Sequence, residues 1–410
     1  MRNYIPLLLV TVAALAQDAP ELIHTALTGS IKASGLDDPQ YLLSFVPIQR
    51  LMLESTRHPL TKAEIDTGVQ GTPVTLDHLL RAELLSKEGE TYRLNYLLLT
   101  KEDQETMYRA CREFGLSLAD AVRAHKTEFD RIFANYPNAS LRPQLAFTLI
   151  AGAALNWGGL DLTTELGYRV KPPHHADGSV YFVHSAENGA HLDFSGLYLD
   201  SETVPGTKVS FSTFGDGNSR LQGLPDVLEG PLENGMEPWK KLPEVYGALE
   251  SEFVSLLMLA IDDAGQVMAA VANGTDTDAA LASRKAMVGL LEAIGYLTEV
   301  NHHYLVSVPI LTERDKPLVD ATLKLSREIM TGWLRSNYPQ MQDQLSGLSP
   351  MRSGVPFSLV FSEVWHYDFG FATKSLAESG FYANPRAYGN RYEGYVPLVW
   401  ASSVLKTPGR

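Results

Sequence analysis

The chain of 410 residues has room for about two to three domains, and its 45% hydrophobic and 20% charged residues are those of a globular protein with material for real cores. A net charge of −14 with a pI near 5.3 excludes general electrostatic attraction to nucleic acid or to an anionic membrane surface. A single cysteine, Cys111, excludes an intrachain disulfide framework and a cysteine-based zinc site, and its helical register reads it as a small buried apolar residue.

The chain opens MRNYIPLLLVTVAALAQDAP. Arg2 supplies a positive start, Ile5 to Ala16 form an apolar run broken only by Thr11, and Ala14-Leu15-Ala16 offers the small residues a signal peptidase inspects. Residues 1–16 are therefore expected to be a secretory signal peptide, with a mature, exported protein (periplasmic or secreted) beginning at Gln17. The run is too short for a comfortable membrane span, and no other segment approaches one. The competing reading keeps the protein cytoplasmic and continues the run into ELIHTALTGSIKASGL as one buried amphipathic helix.

Helical patterning begins at Gln40, where QYLLSFVPIQRLMLEST places Leu42, Leu43, Val46, Ile48, Leu51 and Leu53 mainly on one side. A second helix opens at Thr61, with Glu64 at the capping-box spacing, and a third runs from about Val74 to Leu85. SKEGETYRLNYLLLT then predicts a β-hairpin turning at Gly89 with Tyr92 and Leu94 on one face, and a long helix follows. The later stretch LLEAIGYLTEVNHHYLVSVPILT has the same order: Leu79-Leu80 returns as Leu290-Leu291, Ala82 as Ala293, Tyr92 as Tyr304, Leu99-Thr100 as Leu311-Thr312 and Asp103 as Asp315. Both stretches run through a helix to Asn-Tyr-Pro, at Asn135-Tyr136-Pro137 and Asn337-Tyr338-Pro339, and the second interval predicts a helix shorter by ten residues.

Three helices followed by a hairpin resemble the winged helix-turn-helix proteins of the ArsR and MarR type, over residues 40–100 and, less completely, 253–312. In that pattern the third helix enters the DNA major groove and the wing grips the backbone, so the resemblance implies a cytoplasmic transcriptional regulator with Arg81, Lys87 and Arg93 as DNA contacts. The charges oppose this. From His58 to Thr100 four basic residues (those three and Lys62) meet six acidic ones, and the third helix offers Arg81 alone. Phosphate contact depends on Lys and Arg, so DNA binding is doubtful and use of the winged helices as scaffolds for protein contact or dimerisation stands open.

Between the two stretches, SVYFVHSA, HLDFSGLYL and TKVSFSTFGDG are separated by Asn188-Gly189 and Pro205-Gly206, predicting a small antiparallel sheet over residues 160–215. His184 and His191 would approach each other across one hairpin of it, as weak metal candidates without the spacing of a known ligand signature, so no metal is expected. The Pro/Gly-rich residues 221–244 read as a loop. In the tail, VWHYDFGF read as an extended strand puts His366 and Asp368 on one face, suited either to general-base work or to a core aromatic belt. No G-x-S-x-G, H-E-x-x-H or phosphate-binding loop occurs, so neither enzymatic activity nor a cofactor is expected.

The expected fold is α+β: two winged-helix units with trailing helices around a small antiparallel β-sheet, in segments 17–137, 138–245, 246–345 and 346–410. The expected function is binding of a small molecule or protein partner, a second copy included, through the aromatic-rich middle and tail: Trp157, Trp365, His366 and Tyr367.

Overall fold

The structure, a computed structural model, describes residues 21–175, 177–216, 253–275, 281, 283–387 and 394–405. The signal-like residues 1–16 and the expected loop 221–244 lie outside the described residues. The protein is α+β, mixing helices with small sheets. Its chain forms two compact units: one takes Met1–Glu105, Pro172–Ala190 and Gly347–Pro356, the other Thr106–Lys171, His191–Ser346 and Phe357–Arg410.

The first described element of the first unit is a strand, β1 (Ile23–Ser30), where the cytoplasmic reading has a helix. Ile23, Thr25 and Thr28 are β-branched and lose side-chain freedom in a helix, and Gly29 sits at φ 118, which a right-handed helix forbids. Then come α1 (Val46–Ser55), β2 (Leu60–Thr61), α2 (Lys62–Gly68), α3 (Leu76–Arg81), β3 (Leu85–Glu88), β4 (Thr91–Leu94) and β5 (Leu97–Leu99). The Thr61–Glu64 capping box is present, with Thr61 N–H donating to the Glu64 carboxylate at 2.7 Å. Helix α3 is shorter than expected because Glu83 adopts φ 57 and Leu84 N–H turns back to the Leu79 carbonyl at 3.0 Å. No glycine marks that stop.

The hairpin turns at Gly89, and β4 is flanked by β3 and β2. Tyr92 and Leu94 point inward, joining Leu60, Ile65, Leu79 and Leu84 in one apolar core. Helix α4 (Lys101–Arg123) and then α5 (Lys126–Phe133) replace the single long helix. Strand β6 (Val180–Glu187) pairs antiparallel with β1 and parallel with β5.

The second unit holds a helical run, Ala139–Glu165, wound as a π-helix over Phe147–Gly158. Contrary to the sequence expectation, this run is long and apolar enough to cross a membrane; 83% of its most apolar window is buried inside the protein. Gly159 allows the contact with Trp365, whose ring lies 2.3 Å from where a Cβ would stand. Strands β7 (Asp200–Pro205) and β8 (Val209–Gly215) form a hairpin. Then follow α6 (Phe253–Ala272), α7 (Lys285–Ala293), β9 (Leu297–Val300), β10 (His303–Val306), β11 (Ile310–Leu311), α8 (Lys316–Gln344), α9 (Phe357–Glu378) and β12 (Tyr395–Ala401). Strand β12 pairs antiparallel with β8 and parallel with β11.

The single antiparallel sheet over residues 160–215 is therefore not formed. Gly159–Glu165 is helical, β6 and β8 belong to different sheets, and HLDFSGLYL lies outside any strand. Asn188-Gly189 does form a turn, but it opens no hairpin: residues 191–199 form no strand, β6 pairs with β1 and β5, and the Asn188 N–H and side-chain amide are bound to the Leu22 and Glu21 carbonyls just before β1. The stretch VWHYDFGF is helical within α9, so His366 and Asp368 lie about 200° apart around it and not on one face. An apolar character on all sides, which hides period 3.6, belongs to a buried helix.

The two helix–hairpin stretches correspond at one constant spacing. Leu85–Glu88 matches Leu297–Val300, Thr91–Leu94 matches His303–Val306, and each set forms an antiparallel pair. Gly295 holds φ 79 where Glu83 holds φ 57, and Tyr296 N–H returns to Leu291 as Leu84 N–H does to Leu79. Leu79 thus corresponds to Leu291 and Ala82 to Ile294, one residue beyond the match read from Leu-Leu and Ala. Thr100 and Thr312 both donate N–H and hydroxyl to the aspartate three residues on.

Two features differ between the stretches. Helix α8 is 29 residues long with Pro339 inside it, so it is longer than α4, not shorter, and Asn337-Tyr338-Pro339 ends nothing. The place of β2 is taken by the end of α6, and β10 has β9 as its one partner strand among the described residues.

Candidate binding groove

Alternation in β9 and β10 sends Leu297, Tyr304 and Val306 into the core and leaves Thr298, Val300, His303 and Leu305 on the outer face. Val300 is 43% and Leu305 54% exposed, and with Leu116 they are the exposed large hydrophobic residues found among the described residues. The matching positions of the first hairpin hold Glu88 and Arg93, which form an ion pair. One fold thus accepts charges at these positions, so the apolar pair on the second hairpin is not a demand of the hairpin.

Val300 and Leu305 form one wall of a groove of about 740 Å³. The other walls are the Tyr136–Leu141 segment, the end of α6 at Val271–Asn273, and the Thr312–Asp315 turn. Buried Leu141, Val271 and Ile310 supply apolar floor. Tyr136 ties the segment to β11: its hydroxyl donates to the Ile310 carbonyl at 3.0 Å and accepts from the Ile310 N–H at 3.1 Å. Burial first, and Asp315 in smaller measure, push that hydroxyl up to about 12, so it stays protonated at neutral pH.

The polar side chains around the groove are largely satisfied by one another. Thr298 and Ser307 share a hydroxyl hydrogen bond of 2.6 Å. The Asp315 carboxylate accepts from Thr312 N–H at 2.7 Å and its hydroxyl at 2.9 Å, and Asn138 accepts from the Ser140 hydroxyl at 2.7 Å. Arg314 differs: it is exposed, reaches the Asn273 side-chain oxygen only at 3.4 Å, and has no carboxylate partner among the described residues. A guanidinium carries five N–H donors, so most of its hydrogen-bonding capacity is left over among the described residues.

The residues expected from the sequence sit elsewhere. Trp365 is fully buried and donates its indole N–H to the Leu155 carbonyl at 3.0 Å; Trp157 donates to Ser201 at 3.0 Å. His366 is held to the Ser362 carbonyl at 2.7 Å, and Tyr367 packs against Tyr108 and Phe194, its hydroxyl raised by burial. All four belong to the second unit; Trp365, Trp157 and Tyr367 are buried there and His366 is half-buried. Asp368 is also buried, beside Cys111, and burial holds its carboxyl well above the ordinary carboxylate range.

Arg81 bonds Asp37 at 3.0 Å and lies 3.5 Å from Asp77, Arg93 pairs with Glu88, and Lys87 is exposed on β3 opposite Tyr92. His184 lies within β6 between β1 and β5, and the hairpin meant to bring it to His191 is absent. Among the described residues no group of three or more His, Cys, Asp or Glu side chains is placed to hold a metal ion. Sequence reading missed Tyr136, Val300, Leu305 and Arg314; setting Glu88 and Arg93 against Val300 and Leu305 was the available signal. Comparisons with protein-family models, curated proteins and solved structures found no match.

Proposed function

We propose that this is a non-enzymatic, exported binding protein built on two winged-helix scaffolds, one module used twice, whose second hairpin carries a small-molecule site. The order helix, strand, helix, helix, hairpin in the first stretch, with β4 central in its sheet, supports the winged-helix reading. The constant spacing of the two hairpins supports duplication of the module. The observation that carries the binding function is the replacement of an ion pair by exposed Val300 and Leu305 at the mouth of the groove. Large apolar side chains facing water at a position where the fold accepts charge mark a surface used for contact.

The rival reading, a cytoplasmic regulator of the ArsR and MarR type, draws on the same order of elements. It is weakened by Arg81 and Arg93, both engaged with carboxylates, because DNA affinity rests on cations available to phosphate. The test uses the neutral fluorophore N-phenyl-1-naphthylamine. One equivalent should bind the full chain, and Val300→Glu with Leu305→Arg should abolish binding. Equal binding by the double variant, or salt-sensitive micromolar binding of duplex DNA lost in Arg81→Ala, would favour the rival.

A further inference from the structure

We infer that the groove takes a small amphipathic carboxylate, its hydrocarbon body against Val300 and Leu305 and its anionic head on Arg314. This rests on the groove being the binding site, and it adds the chemistry of the ligand. Three observations choose the occupant. The volume of about 740 Å³ is that of a site for a small molecule, which typically occupies about 300–1,000 Å³.

The second observation concerns hydrogen bonds. Thr298 with Ser307, Thr312 with Asp315, and Tyr136 with Ile310 already answer one another. A peptide laid in the groove would find these side chains already paired, and each of its backbone groups desolvated without a partner weakens binding. A hydrocarbon body brings none. Its natural complement is the apolar wall.

The third is charge. Among the described residues, Arg314 and Asp315 are the two ionised side chains lining the groove, and the Asp315 carboxylate is occupied by the Thr312 cap. Asp315 keeps its charge but has its acceptors engaged, so the ionised group with uncommitted hydrogen-bonding capacity among the described residues is the Arg314 guanidinium, although the whole chain carries −14. A planar guanidinium with donors left over matches a carboxylate through paired N–H···O bonds, whereas an ammonium ion has no acceptor to gain from it.

The experiment displaces N-phenyl-1-naphthylamine from the full chain with decanoate, or with decanol as an uncharged analogue, below the concentrations at which either aggregates. Decanoate is expected to bind about tenfold more tightly than decanol, the factor typical of one charge-assisted contact. Arg314→Gln should remove that difference by weakening decanoate alone, whereas Arg314→Lys should restore part of it. Equal affinities, or a decanoate affinity unchanged in Arg314→Gln, would overturn the carboxylate assignment while leaving the groove as a binding site. Failure of the fluorophore to bind wild type, or identical binding by the Val300→Glu, Leu305→Arg variant, would remove the groove reading itself.

Discussion

Transplanting the first hairpin's ion pair onto the second is the sharpest test of whether Val300 and Leu305 serve the fold or a ligand. Full burial of a Val or Leu side chain is worth about 1.5–3 kcal/mol. Val300 and Leu305 remain 43% and 54% exposed, so about half of that is at stake for each, roughly 1 kcal/mol. The new Glu–Arg pair, exposed on a strand, returns about 0.2–1 kcal/mol. The variant Val300→Glu, Leu305→Arg should therefore lose no more than about 1–2 kcal/mol. Leu297→Ala on the same strand is the control: that side chain is 1% exposed, and emptying its place should cost about 2–5 kcal/mol. Urea unfolding followed by circular dichroism and intrinsic fluorescence measures both. If the double variant lost as much as Leu297→Ala, the apolar pair would be structural, and the inference from exposure to binding would fail.

Two further outcomes are expected. Tyr136→Phe deletes a hydroxyl that satisfies both the N–H and the carbonyl of buried Ile310, so thermal unfolding should show a loss of about 2 kcal/mol or more; an unchanged midpoint would mean that these bonds do not hold the groove wall. Asp368→Asn should change the dependence of stability on pH. The folded-state pKa of Asp368 is raised, chiefly by burial, above its ordinary 3.8, so its contribution is fully present below about pH 3.8 and is lost as pH rises toward the folded value. The difference between wild type and Asp368→Asn should drift in the variant's favour with rising pH, by at most about 1.4 kcal/mol per pH unit, and parallel pH profiles would refute this.

The parts of the fold that could be read from the sequence are those in which local chemistry decides. Thr61 and Glu64 satisfy each other's backbone within four residues, and Gly89 turns a hairpin whose inward residues, Tyr92 and Leu94, alternate. The failures lie where distant contacts outvote local signals. Asn188-Gly189 looks like a hairpin turn, yet Asn188 is held by Glu21 and Leu22. The aromatic stretch around Trp365 has no polar face because α9 is buried on most sides, so its period is invisible. A glycine-free helix stop at Glu83 has no sequence signature either.

The groove was hidden for a different reason. Val300 and Leu305 are ordinary strand residues by propensity, and aromatic residues draw attention first because they dominate many binding surfaces. Here the two tryptophans had already found partners: Trp365 with Leu155 and Trp157 with Ser201. A residue whose polar atom is spent and whose ring is buried has little left to offer a ligand. Val300, Leu305 and Arg314 are the reverse case, plain in type but, among the described residues, with surface and donors uncommitted. The first hairpin supplies the comparison that one sequence position alone lacks. Its Glu88 and Arg93 satisfy each other in the same geometry, so the fold by itself accounts for neither the hydrophobic pair nor its exposure, and that difference is the ground on which contact with a second molecule is proposed.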